Sequence, residues 1–172
     1  MSGLFLLEPH MAELKTAGTH LYLLDPEATT PAPVKFKCPT GITGATAGAR
    51  SRIDTTCLDE EDSMSYVAGL ADANALSVPF VLDPTALSHQ QLFELKKSSK
   101  GLLWYLGFSD GKAAPTVASK LLVAPAARSG LLLPGYIADL DIEVASNEVV
   151  RGTMTIQRTG AYTATWKTAA VA

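Results

Sequence analysis

The sequence predicts a mainly β or α+β fold, in which a β-sandwich or small barrel carries one packed α-helix. Most of the 172 residues fall into short runs that alternate apolar and polar side chains, as half-buried strands do. Residues 83–101 are the exception, because they carry the start and stop signals of a helix. A chain of this length has the size of one domain, and we expect residues 1–172 to form a single one.

The first predicted strands are short and separated by loops. The runs THLYLL and VKFKC predict two strands, and the proline-spaced DPEATTPAP between them predicts a loop. RSRIDTTCL predicts a third strand with Ile53, Thr55 and Cys57 facing inward. Cys38 and Cys57 lie in no disulfide or metal-ligand pattern, so we expect two buried free thiols.

A strand that runs into a helix follows. LSVPFVL, residues 76–82, predicts a strand with its even-numbered residues on one apolar side, and Pro79 indicates an edge position or a bulge. Asp83 can then cap a helix, Pro84 suits its first position, and Gly101 lies beyond its end. The expected core contacts of this helix are Leu87, Leu92 and Leu95, with Phe93 beside them.

The last third of the chain consists of predicted strands. LLWYLGFSDGK and TVASKLLVA flank a turn at residues 109–112, and AYTATWKT ends the fold. Between them GYIADLDIEVASNEVVRGTMTIQRTG predicts a long hairpin with one apolar and one polar face. The apolar face holds Ala138, Leu140, Ile142, Val144, Val150, Gly152, Met154 and Ile156. The polar face holds Asp139, Asp141, Glu143, Arg151, Thr153, Thr155 and Gln157.

The register of this hairpin follows from the same pattern. A two-residue turn at Ser146 and Asn147 would mix apolar and charged residues on both faces, so the loop is predicted to have an odd number of residues. The expected pairs are Glu143 with Arg151, Asp141 with Thr153, Asp139 with Thr155, Leu140 with Met154 and Ala138 with Ile156.

Composition and motifs argue against several classes of function. A net charge of −3 does not favour a protein that grips nucleic acid by its phosphates. The first residues form neither a secretory signal nor a membrane span, so we expect a soluble protein made inside the cell. His10, His20 and His89 are expected to be scattered and solvated, and no nucleophile, cofactor or zinc motif is present. We therefore expect no catalytic, cofactor or metal site, and no enzyme.

Three segments are too small or too polar to build a core, yet they are long for connections. They are the arm at residues 1–18, the glycine-alanine run at residues 41–48, and residues 58–75. The last of these includes the acidic residues Asp59, Glu60, Glu61 and Asp62, which lack the alternating spacing of a calcium loop.

The order of elements resembles a known family, the tail tube or major tail proteins of lambda-like, long-tailed phages. The resemblance runs from about Thr19 to Thr168 and rests on DTTCLDEEDSMSY, on LSVPFVLDPTALSHQQLFEL, and on the late GYIADLDIEV and EVVRGTMTIQRTG. The chain stops after TATWKTAAVA without the appended immunoglobulin-like domain of some relatives, so no surface-decoration role is expected.

The resemblance implies a tail-tube-like fold and a structural function. Members of the family form hexameric rings that stack into a hollow tube around a tape-measure protein, and the genome passes through it. The implied partners are further copies of the chain and the tape-measure, tail-tip and tail-terminator proteins, while DNA passes without specific binding. The implied location is the virion tail, assembled in the host cytoplasm without a membrane anchor. A mild negative charge suits a DNA conduit.

Two sets of residues become candidate sites under this resemblance. The polar hairpin face, Asp139, Asp141, Glu143, Arg151, Thr153 and Thr155, is expected to line the lumen, with Arg151 neutralised by Glu143. Asp59, Glu60, Glu61 and Asp62 are expected to make contacts between rings, together with the arm and the glycine-alanine run. Open alternatives are a contractile-tail or type VI secretion inner-tube subunit, an unspecified β-sandwich domain, and a small metal-dependent enzyme that uses the acidic residues.

Overall fold

The computed structural model describes residues 13–46 and 48–168. Its elements are β1 (His20–Leu24), β2 (Val34–Lys35), β3 (Arg50–Asp54), β4 (Tyr66–Ala71), β5 (Leu76–Val81), α1 (Leu87–Ser98), β6 (Leu102–Gly107), β7 (Thr116–Ala118), β8 (Leu121–Val123), β9 (Gly130–Glu143), β10 (Arg151–Arg158) and β11 (Thr163–Thr165). The prediction of a mainly β fold with one helix is confirmed. The described helix is too short and too polar to cross a membrane.

The main sheet is antiparallel, with the strand order β2-β1-β6-β9-β10-β5, and β11 pairs with β9. It curls into a half-barrel. Residues 34–43 begin with β2 at one end of the strand path and continue to β5 at the other end. This stretch first follows β1, where Phe36 N–H donates to the Leu21 carbonyl at 2.8 Å. It then follows β5, with bridges from Pro39 to Phe80 and from Thr43 to Ser77.

The hydrophobic core lies inside the curl of the half-barrel. It takes apolar residues from every strand of the path and Leu92 from α1. The alternation of β5 is as predicted, because Leu76, Val78 and Phe80 are at most 1% exposed. Pro79 lies on the last strand of the path, and its carbonyl accepts from Thr40 N–H on the side away from β10. The predicted edge position is therefore confirmed, since the missing N–H interrupts no sheet hydrogen bond with β10.

The helix begins later than predicted. Asp83 and Pro84 lie in the turn before it, where the Asp83 carboxylate accepts from Thr85 N–H at 2.9 Å, and Ala86 is the N-cap residue. Leu92 is fully buried and Leu95 packs partly against the core, but Leu87 is 69% exposed. Leu87 lies five positions before Leu92, which is about 140° around the helix, so it faces solvent.

His89 is buried, which makes the expectation of a solvated histidine wrong for this residue. Asp83 N–H donates to His89 Nδ1 at 3.0 Å, so the ring is the neutral tautomer whose Nε2–H donates to the Lys37 carbonyl at 2.8 Å. Its ring centroid lies 5.0 Å from those of Phe36 and Phe80. The start of α1 is therefore fixed at the point where residues 34–43 pass from β1 to β5.

The β9–β10 hairpin has the predicted register over most of its length. The expected pairs of Arg151, Thr153, Met154 and Thr155 are all present, and the loop at residues 144–150 has an odd number of residues. The expected pair of Ala138 with Ile156 is wrong, because a bulge makes Ile137 the partner of Ile156. Ala138 is the extra residue and is exposed. Before it the odd-numbered residues of β9 face the core, and after it the even-numbered residues do.

A second, smaller layer covers the other face of the sheet. The turn predicted at residues 109–112 does not join two paired strands, because β6 pairs with β1 and β9. TVASKLLVA forms a hairpin of its own, β7–β8, with Ser119 and Lys120 at φ 51° and 64° in its tight turn. Its Leu122 packs on Tyr22, Leu24 and Tyr105.

Strands β3 and β4 form a separate two-stranded sheet, which we call the ribbon, and residues 55–65 connect them. The prediction that Ile53, Thr55 and Cys57 face inward is wrong, because all three are exposed. The prediction of buried thiols is also wrong, since Cys38 and Cys57 are both exposed. No layer among the described residues packs on the ribbon, so its alternating residues have no inner side.

Candidate functional site

The predicted polar face of the hairpin is open to solvent. The register brings Glu143 opposite Arg151, Asp141 opposite Thr153, and Asp139 opposite Thr155. The four charged residues are exposed, and the two threonines are half-buried. The polar face predicted from the sequence is therefore present in the hairpin. Its charged side chains, however, have other ion-pair partners than predicted.

Asp139 is not an unpaired acid on this face. Lys96 Nζ, near the end of α1, donates to its Oδ1 at 2.8 Å, and Leu140 N–H donates to the same oxygen at 2.9 Å. The hydrogen bond from Lys96, followed by that from Leu140 and the Lys96 charge, lowers the pKa of the Asp139 carboxyl. Asp141 and Glu143 make no ion pair with any described residue, so they carry the unbalanced negative charge of the face.

Arg151 has a different partner from the one predicted. The register places its Cα opposite that of Glu143, but its Nη2 lies 4.0 Å from Oε2 of Glu148, in the loop of the hairpin. Both side chains of this ion pair are more than half exposed, so solvent screens it and its contribution to stability is small. The charge of Glu143 is thus left without a cation in the described chain.

The acidic residues Asp59, Glu60, Glu61 and Asp62 lie at the tip of the ribbon, far along the chain from the hairpin. The base of the tip is ordered by hydrogen bonds, because Asp54 Oδ1 accepts from Thr56 N–H at 2.9 Å and Thr55 N–H donates to the Ser65 carbonyl at 2.9 Å. The four acidic residues are exposed, and none takes part in an ion pair within the described part of the chain. In residues 13–46 and 48–168, no group of three or more His, Cys, Asp or Glu is arranged to hold a metal ion.

Sequence reasoning missed a buried arginine at the start of β9. Arg128 is 0% exposed and has no carboxylate partner within the described residues. Its Nε donates to the Phe108 carbonyl at 2.7 Å, its Nη1 to Ala113 at 3.3 Å, and its Nη2 to Gly18 at 2.9 Å and Gly107 at 2.7 Å. Arg128 therefore connects segments that are remote in sequence through hydrogen bonds to their carbonyls. The run PAARSG contains no pattern that predicts this role.

His20 is the remaining acceptor of this arginine. Its Nδ1 lies 3.2 Å from Arg128 Nη2, which fixes the nitrogen as the acceptor. Partial burial, followed by the positive charges of Lys35 and Arg128, lowers the pKa of His20. His20 is therefore half-buried and paired rather than solvated, while His10 lies outside the described residues.

The curled sheet and its polar hairpin give the chain a fold that is also found in tail and injection tubes. The SPP1 tail tube aligns with a TM-score of 0.63 at 9% identity, over 89% of this chain and 80% of that one. The tail of an empty gene transfer agent particle, computed with C6 symmetry, aligns with a TM-score of 0.55 at 10% identity, over 85% and 96% of the two chains. The sheath-tube complex of an extracellular contractile injection system gives 0.56 at 11% identity, over 91% and 95%. At these identities the likeness shows the fold.

The family itself is defined by sequence. The chain belongs to the lambda-like phage tail tube family, whose sequence model, "Phage tail tube, TTP, lambda-like", matches residues 12–168. "Structural protein 3" of Pseudomonas phage PAJU2 is 36% identical over an alignment of 152 residues, which covers 86% of this chain and 90% of that protein. The chain is accordingly a structural subunit of a phage tail tube and a component of the virion. The resemblance inferred from its motifs is confirmed.

Proposed function

We propose that this subunit forms hexameric rings that stack into a channel for DNA, with the polar face of the β9–β10 hairpin lining the channel. The observation that carries the proposal is the edge of β9 beside this face, which no described strand pairs. Strand β6 pairs only with residues 130–135, so residues 136–143 have a described strand partner, β10, on one side alone. An unpaired edge of this length is a template for a strand of another copy. Six-fold assembly is consistent with the C6 symmetry of the gene transfer agent tail.

The charges of the face suit a channel that does not hold DNA. Asp141 and Glu143 lack ion pairs among the described residues and would repel phosphates, whereas Asp139 is balanced by Lys96. The wall would therefore carry less negative charge than the sequence suggested. We propose that DNA passes without specific binding and that the subunit has no enzymatic activity. The proposed partners are the tape-measure, tail-tip and tail-terminator proteins, with assembly in the host cytoplasm.

The ribbon is proposed to make the contacts between rings. Its acidic tip is exposed and makes no ion pair with the rest of the described chain. Two-stranded sheets are marginally stable alone in water, so a neighbouring subunit would stabilise the ribbon by covering it. Residues 41–48 are proposed to contribute to the same contacts, as is the arm, of which residues 1–12 lie outside the described part.

Electron microscopy of the concentrated protein tests the proposal. Stacked rings with six subunits are expected, and a map of the tube should place Asp141 and Glu143 on the channel wall. A map with these side chains on the outer surface removes the channel assignment but leaves the tube. A subunit that stays monomeric at every concentration contradicts the tube itself.

A contractile-tail inner tube is the second candidate, because the fold also aligns with a contractile sheath-tube complex. The two candidates differ in what covers the outside of the tube. In tails isolated from virions, a sheath protein bound around the tube would favour the contractile candidate. A bare tube supports the assignment to the lambda-like family.

A further inference from the structure

We propose that the acidic loop, residues 58–64, docks on a lysine platform of a second copy. The platform consists of Leu14, Lys15, Lys112, Trp166 and Lys167. This inference rests on the proposed stacking of subunits and names the surface that the acidic loop would meet.

The platform is built around Arg128. Its guanidinium donates hydrogen bonds to the carbonyls of Gly18 and Ala113. Gly18 is three residues after Lys15, and Ala113 directly follows Lys112. Two separate segments of the platform are thereby brought to the same end of the half-barrel. The close approach of Gly18 to Ser109 places the arm directly against the loop that carries Lys112, because a Cβ at Gly18 would lie 3.3 Å from the Ser109 Cβ.

The third segment is fixed at the same place. Lys167 N–H donates to Ser129 Oγ at 2.8 Å, and Lys167 Nζ donates to the Asp110 carbonyl at 3.0 Å. Thr168 N–H donates to the Ala126 carbonyl at 3.0 Å. The end of the described chain is therefore held beside Arg128, with Trp166 immediately before it.

The platform has the composition of a binding surface. Trp166 is 70% exposed and Leu14 is 51% exposed, although tryptophan is a residue that usually becomes buried. Tryptophan is also enriched among the residues that dominate interface energies. No ion pair of the described residues includes Lys15, Lys112 or Lys167, and Lys15 and Lys112 make no side-chain hydrogen bond within that part of the chain, whereas Lys167 Nζ donates to the Asp110 carbonyl.

Two carboxylates lie near the platform, and that of Asp110 is close enough to Lys167 to interact with its charge. The Asp110 carboxylate is turned to Ser129 N–H, which lies 3.1 Å from each of its oxygens. Glu13 is exposed at the start of the described chain and makes no ion pair with a described residue. The local charge of the platform is therefore positive.

The acidic loop complements this surface in both charge and hydrophobicity. Four carboxylates lie between Leu58 and Met64, which are 108% and 68% exposed. Lysines can meet the carboxylates while Trp166 and Leu14 cover the two apolar side chains. Because the two surfaces differ and lie on different parts of one subunit, their contact is head to tail, the type of contact that can repeat along an open stack.

Other exposed cations fit the loop less well. Lys35, Arg50, Arg52 and Lys120 are also without ion pairs among the described residues, but they lie on β2, on the ribbon itself and in the β7–β8 turn. The guanidinium of Arg52 is already engaged, 4.5 Å from the centre of the Tyr66 ring. The platform differs from these sites because its lysines come from separate segments at the end of the half-barrel that also carries the exposed Trp166.

A charge-swap experiment tests the pairing. Glu60→Lys/Glu61→Lys on the loop, or Lys112→Glu/Lys167→Glu on the platform, should each slow tube growth on the order of tenfold at low salt, measured by light scattering and microscopy. The protein with all four substitutions should recover growth, because the opposite charges are restored in exchanged positions. The control Lys35→Glu/Lys120→Glu changes the net charge as the platform variant does and should grow normally. Thermal melting verifies that each variant is folded.

The outcomes separate the two proposals. If the platform variant grows normally, or the four-fold variant stays blocked while each pair is folded, the docking surface is wrong and the tube proposal stands. If the unsubstituted protein forms no tubes under any condition, both proposals fall. Recovery of growth only in the four-fold variant establishes the contact.

Discussion

Strands β4 and β5 follow each other along the chain, but they have opposite surroundings. In β5, Val78 and Phe80 are at most 1% exposed inside the half-barrel, whereas in the ribbon Val67 is 54% and Leu70 88% exposed. Both strands carry apolar side chains, so composition alone does not separate them. The difference is that α1 and the remaining strands cover β5, while no described element covers the ribbon. An apolar strand left open in the subunit marks a surface for another molecule.

The largest expected effect concerns the helix that covers the half-barrel. Leu92→Ala should lower the free energy of unfolding by about 2 to 5 kcal/mol, because Leu92 is fully buried and the substitution leaves a cavity. Leu87→Ala is the matched control on the exposed side of the same helix and should have little effect. Denaturant unfolding of the free subunit measures both. Equal effects of the two substitutions would show that α1 does not cover the core as described.

A smaller loss is expected at the start of this helix. His89→Leu removes the acceptor of Asp83 N–H and the donor to the Lys37 carbonyl, and each buried group left unpaired costs about 1 to 3 kcal/mol. Gln91→Leu, two positions along on the exposed side, is the control and should leave stability nearly unchanged. Thermal melting near neutral pH compares the two variants. An unchanged midpoint for His89→Leu would mean that these hydrogen bonds do not stabilise the half-barrel.

The smallest effect is expected in the ribbon of the free subunit. Val67→Thr should change the free energy of unfolding by less than about 0.5 kcal/mol, because the side chain is exposed on a sheet that no described element covers. Val78→Thr in β5 is the matched substitution and should cost more than about 1 kcal/mol, since it buries a hydroxyl. A large loss for Val67→Thr would contradict the comparison, because the ribbon would then be packed in the free subunit.

Most of the half-barrel could be predicted from the local alternation of apolar and polar residues, because its strands have one solvent-facing side and one buried side. The register of Arg151, Thr153 and Thr155 followed from sorting charges to one face. The bulge at Ala138 could not be predicted, since alanine suits either side of a sheet. The ribbon alternates as a buried strand does, but Ile53 is exposed because no element within residues 13–46 and 48–168 covers the ribbon, which is a tertiary property.

The candidate sites were predicted as surfaces but not as sets of contacts. The sequence shows that residues 139–143 are acidic. It does not show the ion pair of Asp139 with Lys96, because these residues are 43 positions apart. His89 and Arg128 were missed for the same reason, since their partners are backbone groups that have no signature in sequence. The pairing of side chains across the fold decides the charge of the proposed channel wall, and local pattern does not contain it.

The pairing of β1 with β6 also has a consequence for folding during synthesis of the chain. Leu24 lies opposite Leu103, so the first strand of the half-barrel has no neighbour in the sheet from β6 until about 80 further residues have been made. At common rates of synthesis that interval is on the order of ten seconds. During this time the apolar run HLYLL is without the strand that covers one of its edges. Contacts between distant parts of a chain also form slowly. A host cell that makes many copies at once therefore holds a pool of nascent chains whose first strand is open to chaperones and to misassociation.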